Sequence, residues 1–223
     1  MRNIFRACIV ATSLALFVST AYGQDERFEA ELAAIQSEWA IANYKVPSGD
    51  PRVQALAALS KRADAFVAAN PTRAEPLIWQ GIVLSTYAGA KGGLGALKIA
   101  KQSRAALQAA IDIDPKALEG SAYTSLGTLY FKVPGFPLGF GDEHKAREYL
   151  EQALAVSPNG IDSNYFYGEF LFEQHKKEQA LEHLQKALQA TGRPGRELAD
   201  AGRRKEVEAL IVTIREQRDA RRK

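Results

Sequence analysis

The chain has 223 residues, 46% of them hydrophobic, with 29 basic against 26 acidic side chains and a single cysteine. If the first 23 residues are cleaved, as argued below, Arg2 and Arg6 leave with them, and 27 basic residues face 26 acidic ones. So balanced a body has no basic stripe to neutralise nucleic-acid phosphates. Its ~200 residues bury a core unaided, and without Cys8 neither disulfides nor thiol chemistry is available.

Met1 to Gly23 opens with Arg2 and Arg6, continues as the apolar run Ala7 to Thr20 and ends in Ala21-Tyr22-Gly23. The run is too short to span a bilayer, and the small-x-small ending suits signal peptidase. The pattern predicts a cleaved signal peptide over 1–23, one domain over 24–223 and an exported, periplasmic or secreted protein. Cys8 follows Arg6-Ala7 rather than a small apolar motif, so no lipid anchor is expected.

From Asp25 onward the hydrophobic spacing is helical throughout, and Ala, Leu, Glu, Gln, Lys and Arg dominate. The predicted fold class is all-α. The expected helices are Asp25 to Asn43, Pro51 to Ala69, Ala74 to Gly89, Leu94 to Ile113, Lys116 to Lys132, Asp142 to Val156, Asp162 to Gln174, Lys177 to Ala190 and Gly202 to Arg222. Breaks fall at Val46-Pro47-Ser48-Gly49, Asn70-Pro71, Asp114-Pro115, Ser157-Pro158-Asn159-Gly160 and Gly192-Arg193-Pro194-Gly195, where proline or glycine ends a helix.

The glycine-rich stretch Tyr87 to Gly95 has no strand before it and no Gly-Lys-Ser/Thr ending, so it is not a phosphate loop. It is expected to be a helix crossover in which glycine permits close backbone approach. The segment Val133 to Asp142 spends proline, glycine and aromatic residues on a connection that needs only a few. Two roles are open for it. Phe136 and Phe140 anchor a rigid recognition lip, or they fold back as local core. Asp142 is placed to cap the helix that begins at Glu143.

Asn164 to Phe172 carries five aromatic residues on about two turns of helix. Tyr167, Phe170 and Leu171 share one face, expected to be core. Tyr165, Glu169 and Phe172 lie off it and are candidates for a binding or subunit surface, with packing as the competing role. His144, His175 and His183 lack metal-ligand spacing, and there is no G-x-S-x-G elbow, so no catalytic, cofactor or metal site is expected. The carboxylates read as solvated helix faces. The last helix places Val207, Leu210, Ile211 and Ile214 on one stripe, which suits a cap over 202–222. Arg203-Arg204-Lys205 and Arg215 to Lys223 form a basic face open to at most weak contact with anionic lipid or an acidic partner.

The repeat is the most informative signal. Tyr123-x2-Leu126-Gly127-x2-Tyr130 is followed by Ala146-x3-Leu150-x2-Ala153-x4-Pro158, and then Gly168 by Ala180-x3-Leu184-x2-Ala187. A weaker copy upstream has Gly81 and Leu107-x2-Ala110-x4-Pro115. These residues resemble the tetratricopeptide pattern, with repeats over 117–158 and 159–191 and a weaker one over 74–115. The small residues are assigned to close helix crossings and the large ones to the grooves between hairpins. The glycine spacings of 46 and 41 residues exceed the repeat's usual length of about 34, so the loops inside the hairpins are enlarged.

Val133-Pro-Gly-Phe-Pro-Leu-Gly-Phe-Gly-Asp142, followed by Ala146, further resembles the periplasmic T component of some TRAP-type transporters, the TatT-like proteins. The resemblance implies an exported, non-enzymatic scaffold that partners a periplasmic solute-binding protein. It also implies a possible oligomer with a cleft for a small ligand. The alternative is a helper that binds an apolar or organic-acid ligand.

Overall fold

The computed structural model describes the backbone of residues 4–220 and the side chains from residue 23 onward, apart from Leu94. Residues 1–3 of the expected signal peptide and 221–223 of the basic tail lie outside the described residues. Among them run α1 (Ile4–Tyr44), α2 (Asp50–Ala69), α3 (Ala74–Lys91), α4 (Gly93–Ile113), α5 (Ala117–Lys132), α6 (Glu143–Val156), α7 (Ile161–Glu173), α8 (Lys177–Gln189) and α9 (Glu197–Ala220), with no strand. The chain divides after Ala34 into a first unit formed by the leading part of α1 and a second, Ile35–Lys223, that holds the repeat array.

Seven of the helices stand within two or three residues of their predicted limits. Two differ more. α1 begins at Ile4 rather than Asp25, because the apolar leader carries no residue that stops a helix. α9 begins at Glu197 rather than Gly202. Its first turn is supported by Asp200, which accepts the backbone N–H of Arg193, and Gly202 lies inside it.

Three hairpins, α3/α4, α5/α6 and α7/α8, repeat one crossing. A Cβ on Gly81 would stand 2.4 Å from Cγ of Leu107, on Gly127 2.7 Å from Cγ of Leu150, and on Gly168 3.0 Å from Cγ of Leu184. Ala146, Ala153, Ala180 and Ala187 are fully buried beside these contacts, as are Leu126, Leu150 and Leu184. The steric reading of the repeat therefore holds: the missing side chain on one helix is the space the leucine of the other occupies.

The upstream glycines behave differently. Added Cβ atoms on Gly89, Gly92 or Gly93 would meet nothing within 4 Å, whereas Gly92 and Gly93 have φ of +60° and +63°. The α3–α4 connection is therefore glycine-rich because it turns through left-handed backbone, not because helices approach closely there.

Two of the clusters of buried residues in the second unit bear on the repeat. One joins α3, α4, α5, α6 and α7 through Ile78, Leu107, Leu126, Leu150 and Phe170. The other joins α7, α8 and α9 through Ile161, Leu171, Leu184, Val207 and Ile214. The predicted stripe of α9 makes that second contact, with Leu210 at its edge. Phe166 and Tyr167 pack against both clusters. At the far end of α1, Tyr44 lies against α9, where a Cβ on Gly202 would be 2.5 Å from its ring. Its hydroxyl donates to Glu206 at 3.4 Å.

Candidate binding surfaces

The loop between α5 and α6 is fixed at its base and bare at its tip. Gly141 donates to the Pro134 carbonyl at 2.9 Å and Asp142 to the Tyr130 carbonyl at 2.9 Å. Gly139 and Leu138 both donate to the Gly135 carbonyl, at 3.0 and 3.1 Å. A Cβ on Gly141 would fall 1.9 Å from the Val133 carbonyl oxygen, so only glycine fits the return strand of the loop. Asp142 caps α6 as expected, accepting from the N–H groups of His144 and Lys145 at 3.0 and 3.1 Å.

The two candidate rings of this loop part company. Phe140 folds inward, edge-on to Tyr130 at 5.7 Å and covered by the Arg104 guanidinium at 4.3 Å. Phe136 is 93% exposed and Leu138 75% exposed, separated by Pro137 on a cis peptide bond. One ring is local core and the other is surface, with Leu138 beside it.

The aromatic turn of α7 is mostly interior. Phe170 and Leu171 are buried as predicted. Tyr165, a surface candidate in the sequence, is only 8% exposed, packed edge-on to Phe166 at 5.0 Å under the Arg203 guanidinium at 4.6 Å. The helix that carries it is covered by α9, so the face left over by the core pattern is itself covered. Phe172 is half-buried at the margin of the α7–α9 cluster. Glu169 is taken up by Lys132 of α5 at 2.8 Å.

Where the sequence suggested solvated charge, the structure has a partly buried polar lattice. Asp162 of α7 accepts from Arg203 Nε on one oxygen and from Arg193 Nη1 on the other, both at 2.8 Å. Arg193 also donates to Asp200, which is 4% exposed, and Arg203 pairs with Glu206 at 2.5 Å. Burial raises the pKa of Asp162, but Arg203 and Arg193 outweigh it and hold the carboxyl at about 2. Arg204 donates to the carbonyls of Leu188 and Ala190 at 2.6 and 2.7 Å, closing the C-terminal end of α8. The run Arg203-Arg204 is therefore an internal latch, not part of an outer basic face.

His183 likewise departs from its polar reading. It is half-buried, its Nδ1 is 3.0 Å from Asn164 Oδ1, and burial lowers its pKa. No group of three or more His, Cys, Asp or Glu side chains among the described residues is placed to hold a metal ion. No helix among them is long and apolar enough to cross a membrane.

A cleft of about 920 Å³ opens where the N-terminal ends of α5 and α7 meet the α8–α9 connection and Trp79 of α3. Its wall includes Leu118 and Glu119, whose φ values of +47° and +56° are left-handed in side chains that disfavour it. This succession of glycine-pinned hairpins capped by a longer helix is a tetratricopeptide-like array, and comparison of the sequence with protein families agrees. Residues 138–201 match the tetratricopeptide repeat family. No curated protein matches the chain. The tetratricopeptide match covers α6, α7, α8 and the start of α9, so Asp162, Arg193 and the rear half of the α5–α6 loop lie inside it. Tetratricopeptide arrays bind partners along extended surfaces built by their stacked hairpins.

Sequence reasoning missed the cleft and the arginine lattice. Arg193 stood in the sequence as part of a break, Gly192-Arg193-Pro194-Gly195, and its role as the hub of two carboxylates left no local pattern. Gly120 and the left-handed turn before it were equally silent, since Leu118 and Glu119 are ordinary helix formers.

Proposed function

We propose that this protein is an exported, non-enzymatic scaffold that docks a protein partner through the tip of the loop between α5 and α6. The observation that carries the reading is the contrast between Phe136, 93% exposed, and the hydrogen-bonded base that holds it. An apolar ring and its neighbour Leu138 held out on a fixed loop lose little conformational entropy on binding, the property of an interface anchor. Export rests on the signal-peptide pattern of residues 1–23. Resemblance of Val133 to Asp142 to the TatT-like proteins supports a more specific role, as the accessory component of a TRAP-type uptake system whose partner is a periplasmic solute-binding protein.

Affinity capture from periplasmic extract tests this directly. Full-length protein recovers a solute-binding protein, and the Phe136→Ala/Leu138→Ser variant, still folded by circular dichroism, does not. Equal recovery by the variant removes the loop from the interface. Retention of the protein in the cytoplasmic fraction removes the export assignment.

A further inference from the structure

Two arginines, Arg193 and Arg196, line the 920 Å³ cleft, and only Arg193 has anionic partners among the described residues. Arg193 and Arg203 share Asp162, Asp200 and Glu206 between them. Both oxygens of Asp162 and both of Asp200 are already occupied by these contacts. The side chain of Arg196, on the cleft wall, forms no hydrogen bond or ion pair among the described residues. Its guanidinium lies 5.0 Å over the ring of Trp79. The Nε of Arg196 and the Nε1 of Trp79 are both covered and both lack an acceptor. Trp79 is itself only 2% exposed.

Two covered N–H donors with no acceptor, one on a guanidinium and one on the indole it overlies, both residues in the wall of an open cleft, are a deficit that folded proteins seldom leave standing. One of the donors is cationic, so the acceptor that fits is an oxyanion. A guanidinium with one face on an indole presents its edge, and a planar carboxylate matches that edge with two parallel hydrogen bonds. A dianion fits less well, because Asp162 and Glu119 also line the cleft and repel a second negative charge. Beyond the anion there is room for a body. The volume falls within the range of small-molecule sites, and Leu118, Val156 and Ile161 give it apolar walls. The left-handed turn at Leu118 and Glu119 forms part of the same wall, and backbone strain of this kind gathers where ligands are clamped.

We propose that the cleft binds a small monocarboxylate with an apolar body, its carboxylate held by Arg196 and Trp79 Nε1. The site is independent of the loop docking surface and does not rest on it. Burial, followed by the charge of Arg193, lowers the Arg196 pKa, so the cation is disfavoured in its present surroundings and a bound anion reverses that.

Hexanoate serves as the probe, with hexanol as the same body without the charge and inorganic phosphate as an anion without the body. Calorimetric titration of the full chain gives saturable hexanoate binding below about 10 mM, with hexanol and phosphate each at least tenfold weaker. Arg196→Gln weakens hexanoate at least tenfold while the melting temperature is kept or raised, since the unpartnered cation is gone. Trp79→Phe keeps the ring, loses the donor and weakens binding severalfold. It also removes the ligand-induced change in tryptophan fluorescence, which in this chain arises from Trp39 and Trp79 alone. Absence of saturation, equal binding of hexanol, preference for phosphate, or unchanged affinity in folded Arg196→Gln protein each overturns the proposal.

Discussion

Arg203 donates from Nε to Asp162 at 2.8 Å, joining two helices through residues 41 positions apart. The partnership is strong enough to hold the Asp162 carboxyl at about 2 against its ordinary 3.8, although burial pushes the other way. A folded-state pKa below the unfolded one adds stability that is complete above about pH 5 and lost as the pH falls through about 2. The amount is on the order of 2 kcal/mol. The stability gap between the native protein and Asp162→Asn is therefore expected to hold from pH 7 to about pH 5 and to narrow from there toward pH 2 in urea titrations. A gap that stays constant over that range means the carboxylate is not held by the two guanidiniums.

The loop rings make a second pair of expectations. Phe136→Ala is expected to leave the melting temperature within about a degree, because a side chain 93% exposed has almost no burial to lose. Phe140→Ala is expected to cost about 1 to 3 kcal/mol, below the roughly 3 to 5 kcal/mol of a fully buried ring, since it is half-buried against Tyr130 and Arg104. Thermal unfolding of the two single variants separates these outcomes, and similar losses in both would mean that Phe136 packs against the fold in solution.

Much of this was legible in the sequence for a physical reason. The crossing of Gly127 with Leu150 is written in residue size at fixed spacing, and spacing survives without coordinates. Asp142 was legible because a cap is a local event, decided within three residues. The Asp162–Arg193–Arg203 lattice was not, since a buried carboxylate and a solvated one look alike until the helices that enclose them are placed. The same limit applies to Tyr165, which left the core stripe of its own helix only to meet α9. At Gly92 and Gly93 the residue type was informative but its cause was ambiguous, because glycine serves close approach and left-handed backbone alike.

The crossings themselves can be ranked. At Gly127 an added methyl would meet both Leu150 at 2.7 Å and the Ala146 carbonyl oxygen at 3.1 Å, while at Gly168 the corresponding distances to Leu184 and Ala180 are 3.0 and 3.2 Å. Overpacking costs about 1 to 3 kcal/mol, and the gain in helix propensity from glycine to alanine returns about 1 kcal/mol. Gly127→Ala is expected to be clearly destabilising and Gly168→Ala close to neutral. Chemical denaturation of both variants checks the order, and a reversed ranking would mean the α7/α8 crossing is the less yielding of the two.

Arg204 offers a test of the latch. Its two bonds to the Leu188 and Ala190 carbonyls satisfy the end of α8, so Arg204→Gln is expected to cost on the order of 1 to 3 kcal/mol. Hydrogen exchange on the last turn of α8 should rise in that variant. A loss of stability with no change in exchange there would place the role of Arg204 elsewhere.

The contact of Tyr44 with Gly202 and Glu206 has a further consequence for how the second unit comes apart. An ordinary hairpin array is a row with two loose ends, and it unravels unit by unit from either one. Here the residue that closes α1 lies against the last helix, so the row is tied back upon itself. Neither end frays without breaking the tie, and melting then proceeds as one transition whose denaturant slope reflects the surface of the whole ring of helices rather than that of a terminal hairpin.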